Sequence, residues 1–267
     1  MVKEIKPYQI MGVVNVTTDS FSDGGKYIET DAAVEHALAL VEEGADILDI
    51  GGESTRPGAQ LISPSEEQDR VLPVIEKLIK ELISTPISID TRNSETMREA
   101  LKAGANIVND ISALTHDAHS LSVVKEHQVP VMLMHMQGTP ETMQVKPNYN
   151  DVVGDVKAFL QARIEACEAV GVTKDKIILD VGIGFGKSLE DNLTLIKNLW
   201  QFHDLGCDLL LGTSRKSFIE KICPNTPVDD RLGGSIASAI KGLEQSVKFF
   251  RVHDVRQTKQ AFDVWLS

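Results

Sequence analysis

The chain has 267 residues, 42% hydrophobic and 25% charged, the profile of an ordinary soluble globular protein. No apolar run is long enough to span a bilayer, and the opening MVKEIKPYQIMG lacks the apolar stretch of a signal peptide, so no membrane partner is expected. A formal net charge of −12 sets the average surface against nucleic acid, and an anionic substrate would need a local cationic site. Taken in chain order, continuous Val/Ile/Leu runs predict eight strands, at 9–15, 46–50, 86–90, 106–109, 130–135, 176–180, 208–212 and 248–252. Between them, Asp31–Glu43, Ser65–Leu82, Asp151–Val170 and Asp191–Leu205 carry helical spacing. Helical patterns closing on Gly44 and Gly104 lead directly into strands, as a left-handed cap allows. Eight strands alternating with helices fit a closed barrel or a doubly wound sheet, and the strand count and length favour a (β/α)8 barrel, one domain over residues 1–267. Cys167, Cys207 and Cys223 are far apart, without metal-ligand spacing, and are expected as reduced thiols of a cytoplasmic protein.

Strand after strand ends in a polar residue: Asn15, Asp49, Asp90, Asn109, His135, Asp180, then Arg251 and His253. Singly, each is more often a helix cap or a turn residue. Shared by so many strands, the pattern marks the carboxyl-terminal face on which barrel enzymes build their sites. The first strand runs into NVTTDSFSDGGKY, long for a strand-to-helix loop and carrying Phe21. The second runs into DIGGESTRPGA, where Arg56 can clamp a phosphate or carboxylate. In DVGIGFGKS, after strand six, Val181 and Lys187 break the two phosphate-binding glycine patterns, and the glycines read as room for a flat ligand against the backbone. GTSRKSF puts Ser214, Arg215 and Lys216 at a helix start, and alternation sends Arg251 and His253 to one side.

Some features read as structural. His116 and His119 suit a solvated loop, and Lys187 a local cap or pair. Trp200 and Trp265 suit packing or an interface. His135 either faces the site or packs among Met132, Met134 and Met136, and Asp254 either orients His253 or caps the last helix.

The segments MGVVNVTTDSFSDGG, DIGGESTRPGA, SIDTRN, NDIS, MHMQGTP, DVGIGFGK, TSRKSF and RVHDV, in this order from Met11 to Val255, resemble the signature segments of the dihydropteroate synthases, the sulfonamide-target enzymes of folate biosynthesis. The resemblance implies a (β/α)8 barrel that condenses 6-hydroxymethyl-7,8-dihydropterin pyrophosphate with p-aminobenzoate. It implies a pterin pocket of Asp90, Asn109, Asp180 and Lys216, with Asp90, Asp180 and Lys216 supporting the chemistry. By the same resemblance Arg56, Arg251 and His253 bind pyrophosphate, Asn15 holds Mg²⁺, and Thr55, Pro57, Phe21, Phe185 and Ser214 shape the p-aminobenzoate site. Thr18 and Val181 stand where the family often has proline, and Ile183 replaces a common phenylalanine. The first two loops are expected to close on the ligand. A homodimer is expected too, through late helices with small and apolar segments such as Gly233–Gly242. A pterin-dependent methyltransferase and an inactive pterin-binding paralogue are the competing readings. Neither needs Arg56, Lys216, Arg251 and His253 together.

Overall fold

A computed structural model of the protein describes residues 6–16, 26–54, 59, 61–81, 83–143, 145 and 147–267. Strands β1 (Gln9–Asn15), β2 (Ile47–Gly51), β3 (Ile87–Asp90), β4 (Ile107–Asp110), β5 (Val131–Met134), β6 (Ile177–Asp180), β7 (Asp208–Leu211) and β8 (Phe249–Val252) lie within one residue of the predicted bounds. All pair in parallel, in sequence order, and β8 closes on β1 through Gln9 opposite Phe249. Helices α1 (Lys26–Glu43), α2 (Pro64–Lys80), α3 (Ser94–Ala103), α4 (Ser120–His127), α5 (Val152–Ala169), α6 (Leu189–Lys197), α7 (Ser217–Ile222), α8 (Leu232–Leu243) and α9 (Val255–Leu266) surround the strands. The stretch expected as one helix at Asp191–Leu205 divides at Asn198 into α6 and a 3₁₀ segment, Leu199–Leu205. Local chemistry explains the helix starts: Ser63 caps α2 with Pro64 as its first residue, and Ser188 with Asp191 forms a capping box on α6. Gly44 and Gly104 close α1 and α3 with φ of 101° and 120°.

Two apolar cores follow from the period of two along each strand. Outward residues such as Leu48, Ile50, Val108, Leu179 and Phe250 pack under the helices. Inward residues Met11, Ile47, Ile107, Met132, Ile178, Leu210 and Phe249 fill the barrel interior. The even strands supply Ile47, Ile107, Ile178 and Phe249 to this inner layer. Two residues nearer the carboxyl ends, the same strands supply Asp49, Asn109, Asp180 and Arg251. Alternate strands filling one layer is the packing rule of this barrel, and here the layer above the apolar floor is polar.

Candidate active site

Arg251 is the hub of the polar layer. Its Nε donates to Asp49 Oδ2 at 2.6 Å, and a terminal nitrogen donates to Asp90 Oδ2 at 2.8 Å. Asn109 Nδ2 donates to the same Asp49 oxygen at 3.1 Å. One guanidinium thus ties β8 to β2 and β3 across the mouth, and an Arg fork suits that geometry where a lysine would not. Burial opposes the charge of Arg251, but the carboxylates of Asp49 and Asp90 outweigh it and hold its pKa above the usual arginine value. Burial pushes the Asp90 carboxyl above the ordinary range, with Arg251 pulling the other way. Asp49, wholly buried, keeps one oxygen without a hydrogen-bond partner among the described residues.

Asp180 closes β6. Its Oδ1 accepts the Gly182 amide at 2.7 Å, which fixes the carboxylate's rotation, and Gly212, just after β7, leaves space beside Oδ2. Burial raises the Asp180 pKa, and the Lys216 ammonium opposes it. Lys216 precedes α7, donates to the Ile183 carbonyl, and sits over the Phe185 ring at 4.4 Å from its centroid. Burial lowers its pKa to about 8, against the pull of Asp180. Asp90, Asn109, Asp180, Lys216, Phe185 and Arg251 therefore meet around one mouth, built from β3, β4, β6, β8 and the loops after β6 and β7.

Two of the three glycines after β6, Gly182 and Gly186, serve a different purpose from the flat ligand expected of them, while Gly184 faces the Lys216 side chain. Gly182 and Gly186 have φ of 68° and 62°, and a β-carbon on either would overlap the carbonyl oxygen of His135 or Gln137. The space they leave is filled by the backbone of the loop after β5. Lys187 does pair locally, with the Gly182 and Phe185 carbonyls, yet it is buried and also reaches His135. His135 packs edge-on against Phe159 of α5 at 4.9 Å. Burial, then Lys187, lowers its pKa to about 3.

His253 is held by Ser214, whose Oγ lies 3.0 Å from Nδ1 and accepts the His253 amide at 3.1 Å. Asp254 is the N-cap residue of α9 but makes no side-chain cap hydrogen bond there. It takes Arg215 bidentately, at 3.0 and 2.6 Å, so the loops after β7 and β8 are joined twice. Asn15 ends β1 as its one exposed residue, after five buried ones, opposite Gly51. Phe21, Thr55, Arg56, Pro57 and Thr18 lie outside the described residues, as does most of the first loop. Val181 and Ile183 are buried in the outer core. His116 and His119 are exposed, as expected of a solvated loop.

Sequence reasoning passes over three residues as site components. Asp49 stands out only as a strand end, and nothing in the sequence shows that it anchors Arg251, 202 positions away. Glu53 and Arg92 form a buried two-bond ion pair, both bonds 3.0 Å, that fastens the second loop to the residues after β3 immediately before position 55. The signal for Glu53 is the acid in DIGGES, and its partner lies 39 residues on.

The family of pterin binding enzymes matches the chain over residues 11–253. Dihydropteroate synthase of Escherichia coli (strain K12) is 45% identical over 255 residues, which cover 96% of this chain and 89% of that protein. The structure of the Xanthomonas albilineans dihydropteroate synthase with 4-aminobenzoic acid superposes with a TM-score of 0.91 at 45% identity, covering 97% of this chain and 92% of that one. The same enzyme in complex with 7,8-dihydropteroate gives 0.88 at 42% identity, over 97% and 92% of the two chains. With its barrel, its charged mouth and this similarity along nearly its whole length, the chain belongs to the dihydropteroate synthases, a family of pterin-binding transferases.

Proposed function

We propose that the chain condenses 6-hydroxymethyl-7,8-dihydropterin pyrophosphate with p-aminobenzoate, giving 7,8-dihydropteroate and pyrophosphate, with the pterin seated in the mouth of the barrel. The observation that carries this reading is the convergence of Asp90, Asn109, Asp180, Lys216 and Arg251 on that mouth. The pterin edge presents adjacent N–H donors, which an ionised carboxylate accepts in parallel, and Asp180 is already oriented for this by the Gly182 amide. Lys216 donates to the ring carbonyl or a ring nitrogen. Arg251 and His253, with Arg56 from the second loop, bind the pyrophosphate oxygens.

In the reaction the bond between the pterin methylene carbon and the pyrophosphate oxygen breaks, and its electrons leave with the pyrophosphate. The arylamine nitrogen bonds to that carbon and gives up a proton. Positive charge grows on the methylene as the leaving group departs, and the buried carboxylates of Asp90 and Asp180 are placed to stabilise it. The cations on the opposite side stabilise the departing oxygens. Arg251 meets Asp49 and Asp90 now, so pyrophosphate would have to share a guanidinium that already has two partners.

Mg²⁺ fits this arrangement as an ion held chiefly by the substrate. Among the described residues no cluster of three or more His, Cys, Asp or Glu could cage a metal. Asn15 offers one neutral oxygen at the exposed end of β1, and Mg²⁺ commonly takes few protein ligands beside substrate phosphates and water. Bound there, the ion would neutralise charge on the leaving pyrophosphate. Dihydropteroate formation that needs Mg²⁺ and stops with chelator is the expected result. No product from the two substrates would overturn the reading.

A homodimer is proposed through α8 and α9. Leu232, Ile236, Ile240, Ala261, Val264 and Trp265 line a groove between these helices, and Val264 and Trp265 are 70% and 53% exposed. Trp265 is half exposed at the edge of this groove, which supports a use at an interface. Sedimentation should give twice the chain mass at micromolar concentration. A cytoplasmic location is proposed with it. Among the described residues no helix is long and apolar enough to cross a membrane, and none of the three cysteines is in a disulfide.

A further inference from the structure

We propose that Lys187 is a positioning residue for the arylamine: its buried ammonium locks the Asp180–Ser188 loop onto the end of β5 and so sets the Phe185 ring against Lys216. The inference rests on the proposed function, together with the p-aminobenzoate role that the family resemblance implies for Phe185. Lys187 is 1% exposed, and its Nζ lies 2.9 Å from the Gly182 carbonyl, 3.0 Å from that of Phe185, 3.2 Å from that of His135 and 3.0 Å from His135 Nδ1. Packing alone does not call for a lysine here, because methionine has a similar length and carries no charge to bury. Donors are what the site lacks. Three carbonyls from two loops point at one place, while the loop's amides are engaged elsewhere: Gly182 N with Asp180, Gly184 N with Asn192, and Phe185 N with the Gly182 carbonyl. Burial lowers the Lys187 pKa to about 7, and in its protonated form the group, with three donors on one atom, gathers carbonyls that no single amide could.

The loop so gathered carries both contacts that Lys216 makes with it. The Ile183 carbonyl accepts from Lys216, and the Phe185 ring lies under it. Lys216 is also drawn to Asp180, so its place survives some loosening of the loop. The place of the Phe185 ring follows the backbone that Lys187 holds. Tyr149 supports the same loop at a second point, its hydroxyl donating to the Gly186 carbonyl at 2.7 Å. Loss of the ammonium should therefore fall on the arylamine far more than on the pterin.

The test is a double-mutant cycle of Lys187→Met and Phe185→Leu, with kcat and both KM values measured for dihydropteroate formation. Lys187→Met should raise the p-aminobenzoate KM about tenfold or more and the pterin pyrophosphate KM about threefold at most, the range expected when a contact is displaced rather than removed. The two substitutions should be non-additive on the arylamine KM, the double variant resembling Phe185→Leu alone. If Phe185→Leu leaves that KM unchanged, the underlying reading fails and the proposal with it. If Phe185→Leu raises it but Lys187→Met does not, or raises both KM values equally, the proposal alone is overturned. Should Lys187→Met not fold, Tyr149→Phe decides: a selective rise in the arylamine KM upholds the proposal, and an unchanged one overturns it.

Discussion

Asp180 at the end of β6 and Lys216 at the start of α7 face each other, each paying in desolvation for a charge that the other stabilises. Replacing Asp180 with asparagine keeps the shape but puts a donor where a carboxylate accepted. Asp180→Asn should fold normally and lose about 2–4 kcal/mol of pterin binding or transition-state stabilisation, read by titration and turnover. Lys216, with its pKa lowered to about 8, gives a pH prediction. Its cation is present below that value and lost above it, so kcat/KM should fall on the alkaline side near pH 8. Lys216→Arg stays charged throughout, and whatever activity it retains should lack that limb. The stability term has the opposite sense. Between about 8 and the ordinary lysine value near 10.4, the unfolded chain binds more protons than the fold, so this group makes the protein more stable as pH rises through that window.

Among the elements, the loops after β2, β5 and β6 are fastened to the barrel by buried polar contacts. Arg92 and Glu53, with side chains 6% and 7% exposed, hold the second loop. Arg92→Met leaves the Glu53 carboxylate buried and unpaired, and should cost about 3–5 kcal/mol in urea denaturation. Glu53→Leu combined with Arg92→Met should recover much of that stability while p-aminobenzoate use stays impaired, because the loop has lost its anchor. Gly182 tests the loop after β6. An alanine there meets both a left-handed backbone and the His135 carbonyl, so Gly182→Ala should cost about 2–5 kcal/mol, the sum of backbone strain and overpacking. A loss under about 1 kcal/mol would show that the two loops are not in backbone contact.

At the scale of the whole molecule, closure of the barrel brings β8 beside β1 and carries Arg251 to Asp49 and Asp90. The exposed end of α9 carries the test of the proposed dimer. Val264→Glu with Trp265→Glu should place unpaired charge on that face and yield monomers in sedimentation, with the barrel's circular dichroism unchanged. A wild-type chain that is already monomeric at micromolar concentration would remove the dimer.

The sequence by itself determined the strands, most of the helices and the face that bears the site. Those features depend on local period and capping, and both are written in neighbouring residues. Ile47 and Asp49 differ by two positions, as do Ile178 and Asp180, so the alternation along each strand carries both an apolar rung and a polar one on the same side. Partnership is not written there. Arg251 meets Asp49, Lys187 meets His135 and Arg92 meets Glu53 only after closure, across 202, 52 and 39 positions. The glycines after β6 show the same limit, for their sequence demands an approaching backbone or ligand without saying which. Tertiary structure decided it, because only packing of the neighbouring loop determines what occupies the space that a missing side chain leaves.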